Sequence, residues 1–180
     1  MSFNLLDSLP AMTDHGRVNV VVDTPSGSAA KFKFDERLGC YRLSRLLPVG
    51  MAFPYDFGSI PRTLAPDGDP LDMMVVATAP LFVGCLVEVK PIGILFAEQT
   101  ESRKTIRNDR LIGAAVTEVN PPLYDSVDAV GPMRLAEIQH FFASYNRAHG
   151  REFNPLGIGD ESAARAAIRD AEARYRETRK

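Results

Sequence analysis

Between positions 48 and 70 the chain carries Pro48, Gly50, Pro54, Gly58, Pro61, Pro66, Gly68 and Pro70. Prolines at this density remove backbone donors and clash with helical turns, so no long helix can cross the segment. It reads as a semi-rigid, irregular connection, and the elements on either side of it have to be short. Upstream, residues 17–23 (RVNVVVD) are β-branched and read as a strand, followed by a turn cluster at Thr24–Ala29. Lys31-Phe32-Lys33-Phe34 alternates strictly, which puts both lysines on one side of a strand and both phenylalanines on the other. Asp35–Gly39 reads as a turn, and Cys40–Leu47 as a further strand carrying Arg42 and Arg45. Downstream, Met73–Ala77, Cys85–Glu98 and Leu111–Val119 have strand composition, with Pro91 marking a bulge or an edge. The polar run Gln99–Arg110 between the last two reads as a loop.

The last third changes character. Leu135, Ile138, Phe142 and Tyr145 recur at helical spacing, with Pro132 at the start and Gly150 beyond the end. Asp160 suits the N-cap of a second helix, whose Ala164, Ala167, Ile168, Ala171 and Tyr175 form one stripe. Many short strands followed by two helices predict an α+β protein, a small barrel or sheet with helices packed outside. A length of 180 residues predicts a single domain, 1–180, with residues 1–16 as an extended N-terminal lead-in.

Net charge is −2, so the basic excess of a general nucleic-acid binder is missing, and there is neither a tryptophan nor a basic–aromatic stripe. No apolar run is long enough for a membrane span, and the N-terminus lacks the basic end and apolar stretch of a signal peptide. Two cysteines, Cys40 and Cys85, are too few for a disulfide framework and read as small core residues. A cytoplasmic location is the expectation.

The chemistry is concentrated in Asp67-Gly68-Asp69-Pro70-Leu71-Asp72. Three carboxylates within six residues repel one another, and a hard divalent cation with oxygen ligands offsets such repulsion. An EF-hand is excluded, because counting from Asp67 the twelfth position is Thr78 and the sixth is Asp72, where that loop needs Glu and Gly. The competing explanation is a solvated acidic turn, since Asp-Gly is ordinary turn chemistry. The strand Met73–Ala77 follows at once, which puts the carboxylates at the mouth of a core strand.

Residues 53–64 (FPYDFGSIPRTL) followed by this aspartate motif resemble the core of the soluble inorganic pyrophosphatases of family I. That family carries Tyr-Pro-x-Asn-Tyr-Gly, then Ile-Pro-x-Thr-Leu, then Asp-Gly-Asp-Pro-x-Asp. The likeness extends through Lys31, Arg45, residues 90–95 (KPIGIL) and residues 138–145 (IQHFFASY), and covers about residues 17–178. It implies a five-stranded barrel related to the OB-fold with helices outside. It also implies Mg²⁺-dependent hydrolysis of pyrophosphate to two phosphates, with Mn²⁺ as a second candidate ion. By family position Asp67 and Asp72 would ligate metal, and Asp69 would orient or deprotonate the attacking, metal-activated water. Lys31, Arg45, Tyr145 and Arg110 would hold phosphate groups. The resemblance further implies a homo-oligomer, a hexamer in the bacterial members.

Several family positions are altered. Phe53 and Phe57 stand where the family has tyrosines, Asp56 where it has asparagine, Lys33 where an acid is expected, and Asp23 is a shortened acid. After Leu95 one expected aspartate reads as Glu98 or Gln99. The later Asp-x-Lys reads Asn108-Asp109-Arg110, and the lysine after Tyr145 is Asn146. Fewer outer carboxylates and an added lysine lower the affinity for cations. Two readings follow: a pyrophosphatase working with fewer metals, and a weakened or inactive paralogue that binds phosphate or serves in assembly. His140 reads as a packing or interface residue, and the basic run Arg103, Lys104, Arg107 and Arg110 could meet phosphates but reads first as a solvated loop.

Overall fold

The computed structural model describes residues 4–178. Its strands are β1 (Val18–Thr24), β2 (Ala30–Asp35), β3 (Cys40–Leu46), β4 (Asp56–Ser59), β5 (Asp72–Val76), β6 (Leu86–Glu101), β7 (Lys104–Arg107), β8 (Arg110–Val116) and β9 (Glu152–Gly159). Its helices are α1 (Leu5–Ser8), α2 (Val127–Val130), α3 (Pro132–Arg147) and α4 (Glu161–Thr178). Pairing runs β1–β4, β4–β5, β5–β8, β8–β6 and back from β6 to β1, so five strands form a ring. The β5–β8 pair is parallel and the others are antiparallel. This is the OB-like arrangement expected from the sequence, with β7 and β9 extending the long strand β6 beyond the ring. β2 and β3 pair only with each other, as a separate hairpin.

Both faces of the ring are covered, which is why its strands are nearly continuous runs of apolar residues. On β5, Met73 and Val75 join Val18, Val20, Ile60 and Leu111 beneath Ala164, Ile168 and Ala171 of α4. Met74, one residue out of phase, joins Phe57, Ile112 and Leu95 beneath Ile138, Phe142 and Tyr145 of α3. The β6 register shifts between Pro91 and Gly93, the bulge that Pro91 predicted. Because side chains alternate with period two, that extra residue lets Val89 and Ile94 reach the same cluster despite opposite parity. Asp160 caps α4 as expected, accepting from the Ala163 N–H at 3.0 Å.

Several local expectations are corrected. The Pro/Gly-rich stretch contains a strand, β4, which Pro54 and Pro61 flank without interrupting. Residues 99–110 are a hairpin, not a loop: β6 runs on to Glu101 and turns through Ser102 (φ 50°) and Arg103 (φ 67°) into β7. A tight hairpin turn with two consecutive left-handed residues ordinarily uses Asn or Gly, so its usual signal was missing. β9 was also missed, because Pro155 and two glycines dilute its composition; it pairs with β6 alone, the setting that tolerates proline. In the lead-in, residues 1–3 lie outside the described residues, and α1 forms where Asn4 Oδ1 accepts from the Leu6 N–H at 3.1 Å. The cysteines are not core: Cys40 is exposed and Cys85 half-buried. His140 is exposed on α3.

Candidate active site

The aspartate loop is tied down at its base. Thr63 Oγ1 donates to the Ile60 carbonyl at 2.6 Å and accepts from the Leu71 N–H at 3.0 Å, and Ile60 N–H donates to Leu71 O at 2.9 Å. Thr63 and Ile60 belong to the segment that precedes the acids in sequence, so the strand entry is clamped by its own lead-in. Inside the loop Asp67 Oδ1 accepts from the Asp69 N–H at 3.1 Å, and Ala65 N–H donates to Asp69 O at 2.7 Å. Gly68 has φ 91°, the left-handed conformation that lets so tight a turn close.

Asp67, Asp69 and Asp72 line a cavity of about 410 Å³ together with Lys31, Arg45, Tyr145 and Arg110. All seven residues singled out from the sequence therefore share one space. Lys31 and Arg45 face each other across the β2–β3 hairpin, a cross-strand pair in the register. Arg45 Nη1 donates to Tyr145 Oη at 3.4 Å, and Lys31 Nζ lies 6.0 Å from the Tyr145 ring centroid. Tyr145 is buried at its ring, which stacks on Phe141 and meets Phe53 at 5.6 Å between centroids. Phe53 and Phe57 pack beneath this wall, buried in the α3 cluster, and donate nothing to the cavity.

Two of the motif carboxylates already have partners. Lys33 Nζ contacts both oxygens of Asp69, at 2.7 and 2.8 Å. Arg110 Nη1 lies 3.2 Å from Asp72 Oδ2, also donates to Asn108 Oδ1, and has its guanidinium over Phe142. The Lys33–Asp69 pair is more than half exposed, so solvent screening leaves it worth at most about 1 kcal/mol, and it opens at little cost. Arg110 is mostly buried and is held in place.

Asp67 and Asp23 carry the strain of unneutralised charge. Desolvation raises Asp67 above the ordinary carboxylate range, and the negative charges of Asp69 and Asp72 push the same way, although the Asp69 N–H opposes them. Burial is the main reason Asp23 rises to about 7, with the Asp72 charge adding to it; Lys31 and the Ser59 hydroxyl, 2.9 Å away, work against it. The Asp23 carboxyl is thus held protonated below neutral pH in the folded protein and titrates near 4 when unfolded. Below about pH 4 both states are protonated and the group has no effect; between about 4 and 7 the unfolded state ionises first, so stability falls as pH rises. The expected loss across that window is about 4 kcal/mol in metal-free protein. Asp23→Asn should flatten this slope; chemical denaturation in chelator at pH 4.5 and pH 8 that gives both proteins the same slope would refute the assignment.

A hard divalent cation fits the inner part of the cavity. Mg²⁺ is usually held by one or two carboxylates plus water and substrate phosphates, and Asp67 and Asp72 would supply such a donor pair in a spot where acids repel one another. The outer part does not fit further cations. Asn108 and Gln99 are neutral and joined by a 3.1 Å hydrogen bond, and Asp109 is spent on the Ala97 N–H and on Arg107. Glu98 lies along a separate hollow beside Arg147. Glu98, Gln99 and Asp109 therefore do not replace the missing outer acids, and Glu101, a further carboxylate on the cavity lining, is paired with Arg151. Among the described residues, no three carboxylates, imidazoles or thiols converge as a metal cluster.

The cavity also holds residues that the sequence reading passed over: Ser59, Glu101 and Arg151. Period-two alternation continued past Glu98 would have put Gln99 and Glu101 on one face of β6. The polar composition of Gln99–Arg110 masks that alternation, because it resembles a loop. The basic run divides: Arg103 and Lys104 are exposed at the hairpin tip as expected, whereas Arg110, at the start of β8, is mostly buried on the cavity wall rather than in a solvated loop.

Comparison with known proteins agrees with the geometry. Residues 20–176 match the family model described as inorganic pyrophosphatase. The chain belongs to the inorganic pyrophosphatase family. It is 33% identical over 171 residues to the inorganic pyrophosphatase of Synechocystis, covering 95% of this chain and 99% of that one. Against the enzyme of Thermus thermophilus the identity is 35% over 162 residues, with 88% and 90% covered. The crystal structure of the T. thermophilus pyrophosphatase superimposes with a TM-score of 0.85, covering 96% of this chain and 99% of that one. Family I pyrophosphatases are metal-dependent, and Asp67 and Asp72 are candidate ligands in this cavity.

Proposed function

We propose that this protein hydrolyses inorganic pyrophosphate to two phosphates, with Mg²⁺ as its ion and Mn²⁺ as the alternative. The observation that carries the proposal is the meeting of Asp67, Asp69 and Asp72 with Lys31, Arg45 and Tyr145 in one cavity. Pyrophosphate is polyanionic, and cationic donors fixed around its oxygens stabilise charge that develops as the bridging bond breaks. Arg45 offers a planar fork, Lys31 a point charge, and Tyr145 a neutral hydroxyl already oriented by Arg45. When bound at Asp67 and Asp72, a divalent cation supplies charge neutralisation and makes water easier to ionise. Asp69 orients the attacking water and takes its proton, which requires Lys33 to swing off its carboxylate. Arg110 fixes Asp72 and adds positive charge at the phosphate wall.

The cytoplasm and a homo-oligomer, a hexamer by family resemblance, belong to the same reading. Among the described residues no helix is long and apolar enough to cross a membrane.

A second reading, a weakened or inactive relative that binds phosphate, is favoured by one feature: Lys33 on Asp69 and Arg110 on Asp72 fill roles that cations would otherwise take. Phosphate release from pyrophosphate, with Mg²⁺ and separately with Mn²⁺, separates the two. We expect measurable but reduced turnover, and no release above an Asp69→Asn blank with either ion would leave only the second reading.

The metal assignment has its own test. Asp72→Asn should weaken Mg²⁺ binding at least about tenfold, whereas Asp14→Asn, an exposed position far along the chain, should not change it. Equal affinities in calorimetry would remove Asp72 from the ligand set.

A further inference from the structure

Arg151 stands on the cavity wall with Lys31, Arg45 and Tyr145. The way α3 ends puts it there. Gly150 takes φ 71° and donates its N–H to Arg147 O at 3.1 Å, while Arg151 N–H donates to Asn146 O at 3.0 Å. These two bonds around a left-handed glycine are the Schellman arrangement, which reverses the chain at a helix C-terminus. The reversal sets the Arg151 backbone against Asn146, a buried cavity-wall residue whose amide donates to Phe142 O at 2.9 Å. The Asn146 side chain is thereby turned into its own helix, and Arg151 brings a full positive charge to the neighbouring place.

The guanidinium is mostly buried but incompletely satisfied. Glu101 Oε2 lies 3.0 Å from Arg151 Nε, close enough for charge attraction. The Nε–H nevertheless does not point along that line: Nε is buried and makes no hydrogen bond among the described residues. A pair built purely for structure would align that bond, since a buried donor left unmade costs about 1–3 kcal/mol. An unsatisfied Nε behind the cavity wall marks a guanidinium whose resting pose is not its best one, and a ligand that draws the group toward the cavity completes its hydrogen bonds. Among anions, phosphate suits a planar, permanently charged fork.

We propose that Arg151 is a phosphate-binding residue of this cavity, donating to phosphate oxygens while Glu101 holds the guanidinium in place before the ligand arrives. The proposal takes its ligand from the pyrophosphatase reading. Glu101 yields the donors when phosphate enters.

The test uses the full chain and two probes, inorganic phosphate and a non-hydrolysable methylene diphosphonate, titrated by calorimetry. Arg151→Gln is expected to weaken both about tenfold or more, the worth of a hydrogen bond to a charged group. It should raise KM for pyrophosphate by a similar factor and leave kcat within about threefold, the signature of lost ground-state binding. Arg151→Lys should recover part of the affinity, because charge returns without the fork; it also carries the test if Arg151→Gln folds poorly. A folded Arg151→Gln protein with unchanged affinity and KM would overturn the proposal. So would phosphate that binds through Arg151 but is not displaced by the diphosphonate, because Arg151 also borders the hollow with Arg147 and Glu152. If the parent protein releases no phosphate from pyrophosphate, yet Arg151→Gln still weakens the probes, the hydrolytic reading fails and the binding role stands.

Discussion

Asp69→Asn is expected to lower pyrophosphate turnover by about 10²–10⁴-fold, the usual cost of removing a general base. Asparagine keeps the shape and can still accept the Lys33 ammonium, but it cannot take a proton. Because the Lys33–Asp69 contact is exposed, its loss should leave stability nearly unchanged. Binding of a non-hydrolysable diphosphonate should likewise persist, since Lys31, Arg45 and Tyr145 are untouched. Steady-state phosphate release and calorimetry on the same preparation separate these effects. Turnover within threefold of the parent would show that another group moves the proton. Restoring family-type acids probes the other side: Lys33→Glu with Asn108→Asp frees Asp69 and adds two carboxylates. A weakened relic should gain activity from this pair, whereas an enzyme adapted to few metals should gain little or lose some.

Gly58→Ala is expected to destabilise the fold by about 3 kcal/mol, at the upper end of overpacking costs. A Cβ on Gly58 would sit 2.5 Å from the Val21 carbonyl oxygen and 2.6 Å from Val20 Cγ1. The carbonyl belongs to a paired strand and cannot move aside as a flexible side chain could. For a chain of this length the change corresponds to a fall in Tm of about 6–12 °C. The damage should reach the site as well. Ser59, the next residue, holds Asp23 and pairs with Asp72, so a displaced β4 would shift both acids. Thermal unfolding and Mg²⁺ titration of the variant check the two consequences, and an unaltered Tm would mean the strands are farther apart than the structure shows.

Much of this was legible residue by residue. The alternation of Lys31-Phe32-Lys33-Phe34 specified a strand, and its two lysines do reach one cavity. Pro132 and Gly150 bounded α3, and the stripe Ala164, Ile168, Ala171 named the buried face of α4. Elements whose local chemistry was atypical were lost: the turn at Ser102 and Arg103 without glycine, and β9 with its proline. Each departs from local preference because a long partner strand, β6, supplies the pairing that composition did not announce.

The sequence by itself determined the family, most of the short strands and the compact set of Asp67, Asp69 and Asp72. The family rests on its motif residues, the others on backbone chemistry and periodicity over a few residues, and the closing of the strands into a ring was implied by the resemblance alone. Only the tertiary structure decided which charges meet. Lys33 reaches Asp69 across 36 positions because the β2–β3 hairpin lies over the aspartate loop. Glu101 and Arg151 come together because β6 outruns the ring and the chain reverses sharply after α3. Phe53 and Phe57 leave the cavity because their rings find a better partner in the aromatic face of α3. Such pairings are set by strand register and turn handedness, which put residues far apart in sequence within bonding distance, and no local pattern encodes them.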